Sequence, residues 1–126
     1  MFNGCSYLTS APTLPATTLA NGCYYRMFYG CTSLTSAPVL PATTLAAWCY
    51  NNLFYGCSNL NTITLGYTGR FADAPYSAFY EWVSGVASTG TFYYNGTDTT
   101  TGGSAIPEGW TVTPIPIPRQ ELCFTA

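Results

Sequence analysis

Residues 27–52 read MFYGCTSLTSAPVLPATTLAAWCYNN, and residues 1–26 read MFNGCSYLTSAPTLPATTLANGCYYR; the two agree at 18 of 26 positions. A third copy opens at Leu53 as LFYGCSNLNTITLG and then decays. Self-similarity at a fixed period is the signature of a repeat architecture, so the period decides the fold. Each period divides in two. Leu34-Thr-Ser-Ala-Pro-Val-Leu-Pro is punctuated by proline and reads as an extended piece that no helix can include. Thr43-Thr-Leu-Ala-Ala-Trp-Cys-Tyr-Asn-Asn-Leu-Phe-Tyr-Gly follows. There Leu45, Cys49, Leu53 and Phe54 approximate a helical stripe. Thr43 or Thr44 would be its N-cap and Gly56 its C-terminal stop. Neither piece buries its apolar face alone. Stacked copies share one core, so the pattern predicts an α/β repeat solenoid.

The motif Met-Phe-x-Gly-Cys-x-x-Leu-x-x-Ala-Pro-x-Leu-Pro runs from Met1 to Leu14 and from Met27 to Leu40, with a variant from Leu53 to Leu65. It resembles the BspA-like branch of the leucine-rich repeats. The resemblance covers roughly residues 1–66. It implies a short leucine-rich-repeat stack in which Phe-x-Gly-Cys ends a helix and the next Leu opens a strand. Members of that family are mostly large surface proteins of anaerobic bacteria that serve adhesion and host contact, and related repeats occur in phage proteins. The implied role is therefore a non-enzymatic binding module of a cell-surface protein, recognising protein or glycan. The alternative is a structural spacer or scaffold in a surface or phage tail protein.

Beyond Gly66 the period is lost. Asp73-Ala-Pro begins a segment in which Phe79, Trp82, Val83 and Val86 fall at i, i+3, i+4 and i+7, which predicts a cap helix over about 74–87. Two strands, about 90–95 and 109–113, are expected to pair as a β-hairpin. Between them the Thr- and Gly-rich run from Gly96 to Ser104 reads as a mobile loop. The division expected is thus repeats over 1–66, a cap over 67–113, and a proline-rich linker with the start of a further module over 114–126.

Composition narrows the function. Charged residues are 6% of the chain, with three Arg, no Lys, no His and a net charge of −2. Three scattered cations cannot neutralise a run of phosphates, so nucleic acid is not an expected partner. No apolar run approaches the ~20 residues that span a bilayer, so membrane insertion is not expected either. Without His the commonest general base is missing, and Asp73, Glu81, Asp98, Glu108 and Glu121 stand at unrelated spacings outside the repeats. The reading is a protein without catalytic residues, cofactor or metal. A polar surface of Thr, Ser and Asn rather than charge suits an exported protein, so an extracellular or cell-surface location is expected. Met1 is followed by FNGCSYLTSA, which is no signal peptide, and it lies inside a repeat, so the chain reads as a piece of a longer protein.

Cys5, Cys31 and Cys57 share one slot of the period, and Cys23 and Cys49 another; Cys123 lies outside the repeats. Ladders of small buried hydrophobes explain the register, with disulfides or a metal as the alternatives. Recurrent tyrosines fill part of the core, and Tyr25, Tyr29 and Tyr55 are expected to project outward as flat contact surface. Thr9 with Thr35 and Ser10 with Ser36 form matched polar rows on the extended face. These seven residues are the candidate ligand surface. The first repeat lacks a preceding copy, so Phe2, Leu8, Leu14 and Leu19 should present exposed edges, and self-association through residues 1–26 is expected.

Overall fold

A computed structural model describes residues 4–14 and 16–116. Three ten-residue turn segments, 21–30, 47–56 and 76–85, hold the place where helices were expected. Within the first, alternate amides bond three residues back, as in Cys23 to Ala20, Tyr25 to Gly22 and Met27 to Tyr24. The intervening amides leave the segment. Gly22, Tyr24, Arg26, Phe28 and Gly30 donate to the carbonyls of Ala47, Cys49, Asn51, Leu53 and Tyr55. Trp48, Tyr50, Asn52, Phe54 and Gly56 donate in the same way to Tyr76, Ala78, Tyr80, Trp82 and Ser84. Each segment is a chain of β-turns, bonded to the next by a parallel ladder.

This conformation needs a positive φ at every fourth residue. It occurs at Gly22, Arg26 and Gly30, at Trp48, Asn52 and Gly56, and at Ser77, Glu81 and Gly85. Every second turn thereby carries a left-handed third residue, the requirement of a type II turn. Gly4, Gly30, Gly56 and Gly85 stack through successive layers, and a Cβ on Gly56 would lie 3.7 Å from the Gly30 Cα. The repeat period is 26 residues up to Gly56 and 29 from Gly56 to Gly85.

The expected α/β solenoid of leucine-rich repeats, with cap helix and hairpin, is overturned. No α-helix occurs among the described residues. The 43–56 and 74–87 stretches are turn segments because their apolar positions repeat at four, not at 3.6. Leu45, Cys49 and Leu53 are four apart, and so are Phe79 and Val83. A true helix would rotate such a row off its face by about 40° per step. Tyr, Cys, Asn, Phe and Gly dominate these segments, and all are indifferent or poor helix formers. Gly56 carries a positive φ as one of a series, not as a helix stop.

The regular sheet has three parallel strands in the order β1-β2-β3: β1 (Thr62–Leu65), β2 (Thr91–Tyr94) and β3 (Thr111–Thr113). The hairpin expectation fails because β2 and β3 run parallel, with Thr91 opposite Thr111. Earlier extended segments meet only at isolated bridges, Thr18 with Thr44, Ser36 with Thr62 and Leu40 with Leu65. The reason is proline. The first two copies carry Pro12 and Pro38, which lack an amide donor, whereas the third reads Thr-Ile-Thr-Leu and forms β1. At Gly90, before β2, a Cβ would fall 2.5 Å from the Asn61 carbonyl oxygen, so only glycine lets the strands close.

One core lies between turn segments and extended segments. It holds Phe28, Leu34, Leu40, Leu53, Phe54, Ile63, Leu65, Trp82 and Phe92. Aromatic rings stack along the ladder, Tyr24 on Tyr50 at 6.2 Å and Phe28 on Phe54 at 5.8 Å. Trp82 is fully buried and its Nε1–H donates to the Ala105 carbonyl at 2.8 Å. The run from Gly96 to Ser104, expected to be mobile, is bonded at several points. Asp98 accepts from the Phe71 amide at 2.8 Å and from the Thr100 hydroxyl at 2.6 Å, the Gly103 carbonyl accepts from the Val83 amide at 3.1 Å, and Ser104 accepts from the Glu81 amide at 2.9 Å. Leu14 and Leu19, expected as exposed edges, are buried, and Leu8 is half-buried. Phe2 and the segment from 117 onward, with Cys123 and the end of the proline-rich linker, lie outside the described residues.

Candidate ligand-binding site

The ladder sets equivalent residues side by side, so differences between copies shape the surface. Tyr25, Asn51 and Tyr80 occupy one position in three successive turn segments. The small Asn51 in the middle, flanked by tyrosines, opens a notch. Gly22, Trp48 and Ser77 occupy a second position, with the pattern reversed: one large ring between two small residues. The Trp48 ring is therefore free to spread over both neighbours. It meets Tyr25 edge-on at 5.9 Å and Tyr76 at 6.0 Å.

The outcome is a groove of about 380 Å³ lined by Tyr25, Arg26, Trp48, Asn51, Asn52, Tyr76, Ser77 and Tyr80. Its four rings are exposed, Tyr25 by 41%, Trp48 by 42%, Tyr76 by 75% and Tyr80 by 55%. Its floor amides are buried, Asn51 to 1% and Asn52 to 8% exposure. Asn51 Nδ2 donates to the Ser77 carbonyl at 3.3 Å, and Asn52 Nδ2 donates to Asn51 Oδ1. Asn52 Oδ1 accepts no hydrogen bond among the described residues. Arg26 extends the surface: its guanidinium lies 5.2 Å from the Tyr25 ring and 5.2 Å from the Tyr29 ring.

Of the candidates read from the sequence, Tyr25 lines this groove. Tyr29 and Tyr55 are half-buried and stack on each other at 4.9 Å, beside it rather than in it. Thr9, Ser10, Thr35 and Ser36 are exposed on the extended segments and line no part of it. Trp48, Tyr76 and Tyr80 were missed. Their signal is the mismatch between copies, Trp48 against Gly22 and Asn51 against Tyr25, whereas the seven candidates are positions that recur.

The cysteines divide by layer. Cys31, Cys49 and Cys57 are buried, while Cys5 and Cys23, in the first layer, are exposed. Burial pushes the Cys57 thiol up to about 12. Burial also raises the Tyr50 phenol, whose hydroxyl is buried with no partner among the described residues. No group of three His, Cys, Asp or Glu side chains among the described residues is arranged to hold a metal. Among them no helix is long and apolar enough to cross a membrane. No family model, no curated protein and no solved structure matches the chain.

Proposed function

We propose that the chain is a non-enzymatic binding module of a cell-surface protein and that it acts through the aromatic groove. The observation that carries this reading is the gathering of Tyr25, Trp48, Tyr76 and Tyr80, all exposed, around one recess. Exposed rings in contact with one another mark interaction sites, and Tyr and Trp give much contact area for little lost side-chain freedom. The absence of His from the sequence and the scatter of its carboxylates support a role without catalysis. The resemblance of the Met-Phe-x-Gly-Cys motif to BspA-like repeats supports a surface location.

The test is binding of the whole chain to arrays of extracellular proteins and of glycans. Trp48→Gly and Tyr76→Asn would be compared with the parent. Both substitutions copy residues that the first repeat already carries, Gly22 and Asn21. Binding that disappears in these variants, at unchanged melting temperature, supports the reading. A chain that binds nothing on either array overturns it in favour of a spacer.

A further inference from the structure

Building on this binding reading, we infer that the occupant of the groove is a neutral oligosaccharide, with one pyranose ring seated in the notch that Asn51 opens between Tyr25 and Tyr80, beside the Asn52 amide. Three observations converge on this chemistry. The first is size. Neighbouring segments in a backbone ladder stand ~4.8 Å apart, so Tyr25 and Tyr80, two steps apart, bracket a space of ~10 Å at their backbones. That fits one or two sugar rings and cuts off an extended peptide, which needs a continuous edge. The groove volume of about 380 Å³ lies in the small-molecule range.

The second observation is the unmatched acceptor. Asn52 is 8% exposed, lines the groove, and has its Nδ2 committed to Asn51. Its Oδ1 is left open at the floor. The structure does not close that acceptor off from solvent, so a ligand hydroxyl can take the place of water there. A sugar hydroxyl donates there and still accepts from a tyrosine hydroxyl at the wall.

The third is the character of the walls. Ring faces carry negative charge density, which attracts the polarised C–H bonds of a pyranose face. Trp48 and Tyr76, 42% and 75% exposed, line the groove with such rings. Arg26 is drawn aside over two tyrosine rings, and the lining contains no carboxylate. A polyanion would need several cations here, and there is one.

The experiment titrates the whole chain with neutral gluco-, galacto- and manno-oligosaccharides, starting from hits on the glycan array. Binding is followed by the upfield ring-current shift of sugar protons. Trp48→Gly and Asn52→Gly each should weaken binding at least about tenfold. Glycine suits the positive φ at both positions, 64° and 53°, so neither substitution strains the backbone. Tyr7→Ala, exposed and outside the groove, should leave affinity unchanged. Affinity should also hold constant between roughly 50 and 500 mM salt, where an ionic contact would be screened.

The inference is overturned if no neutral sugar binds, if Trp48→Gly and Asn52→Gly bind as the parent does, or if salt abolishes binding. Loss of sugar binding alone, with protein targets still captured through Trp48, removes the sugar and keeps the binding module. Loss of both removes the binding reading as well.

Discussion

Cys57 shows what the ladder does to a single side chain. It stands one layer on from Cys31 and two from Cys5, and its thiol donates to the Phe28 carbonyl at 3.0 Å. Burial, outweighing all other influences, moves it from the ordinary 9.0 up to about 12. Burial raises Cys31 and Cys49 too. A raised thiol pKa acts on stability in one direction. Below pH 9 both folded and unfolded chains keep the proton and nothing changes. Above it the unfolded chain loses the proton first, so stability falls as pH climbs from about 9 towards 12, by up to about 1.4 kcal/mol per pH unit for one group. The melting temperature should therefore drop across this window, and Cys57→Ala should flatten the drop. At pH 8, thiol reagents should label Cys5 and Cys23 in the folded protein and reach Cys31, Cys49 and Cys57 only on unfolding. Fast labelling of these three in the native state would contradict the ladder.

At the scale of the element, the turn segments differ from helices in the sign of one substitution. Glu81 sits at φ 46°, in the same position as Asn52 and Arg26 in the preceding segments. A side chain in the left-handed region costs about 1–2 kcal/mol, and glycine removes that cost while adding up to about 1 kcal/mol of unfolded-state entropy. Glu81→Gly should thus raise stability by a few tenths to about 1 kcal/mol. In a helix the same change would lower it by about 1 kcal/mol. Gly56→Ala, at φ 76°, should lower stability by about 1–2 kcal/mol. Urea unfolding of the two variants reads both signs, and a destabilising Glu81→Gly would restore the helix. The sequence held the evidence for this element. Leu45, Cys49 and Leu53 step by four, and Gly22 and Gly30 are eight apart with Arg26 midway. Over so few turns, four and 3.6 are separated only by the row's drift. Phe79, Trp82, Val83 and Val86 satisfy a helical template as well, and the first three are buried in the turn segment that they actually form.

For the whole molecule, recurrence was legible and difference was not. The 26-residue period set which residues stand side by side, and Gly4, Gly30 and Gly56 do so. The strand β1 arises where the third copy drops its proline, and the groove arises where Asn51 interrupts a row of tyrosines. Both depend on departures from the repeat, so a reading built on agreement passes over them. The ladder also gives the molecule a direction. Each turn segment donates its free amides forward and offers its carbonyls backward. The first segment's backward face carries the carbonyls of Asn21, Cys23 and Tyr25, which accept no backbone hydrogen bond among the described residues. At the far end two of the five corresponding donors are covered: the Val83 amide by the Gly103 carbonyl at 3.1 Å and the Glu81 amide by Ser104 at 2.9 Å. Two copies meeting at the first segment would set acceptors against acceptors. Two meeting head to tail would have to strip the 103–105 cover, and with it the Trp82 hydrogen bond to Ala105. Leu14 and Leu19, which would have supplied apolar contact at that face, are already inside. Light scattering over a dilution series should therefore find a monomer at every concentration. A concentration-dependent dimer would mean that the backward face finds donors elsewhere on its partner. It would locate them if exposed Cys5 and Cys23 lost their reactivity towards thiol reagents as the dimer formed.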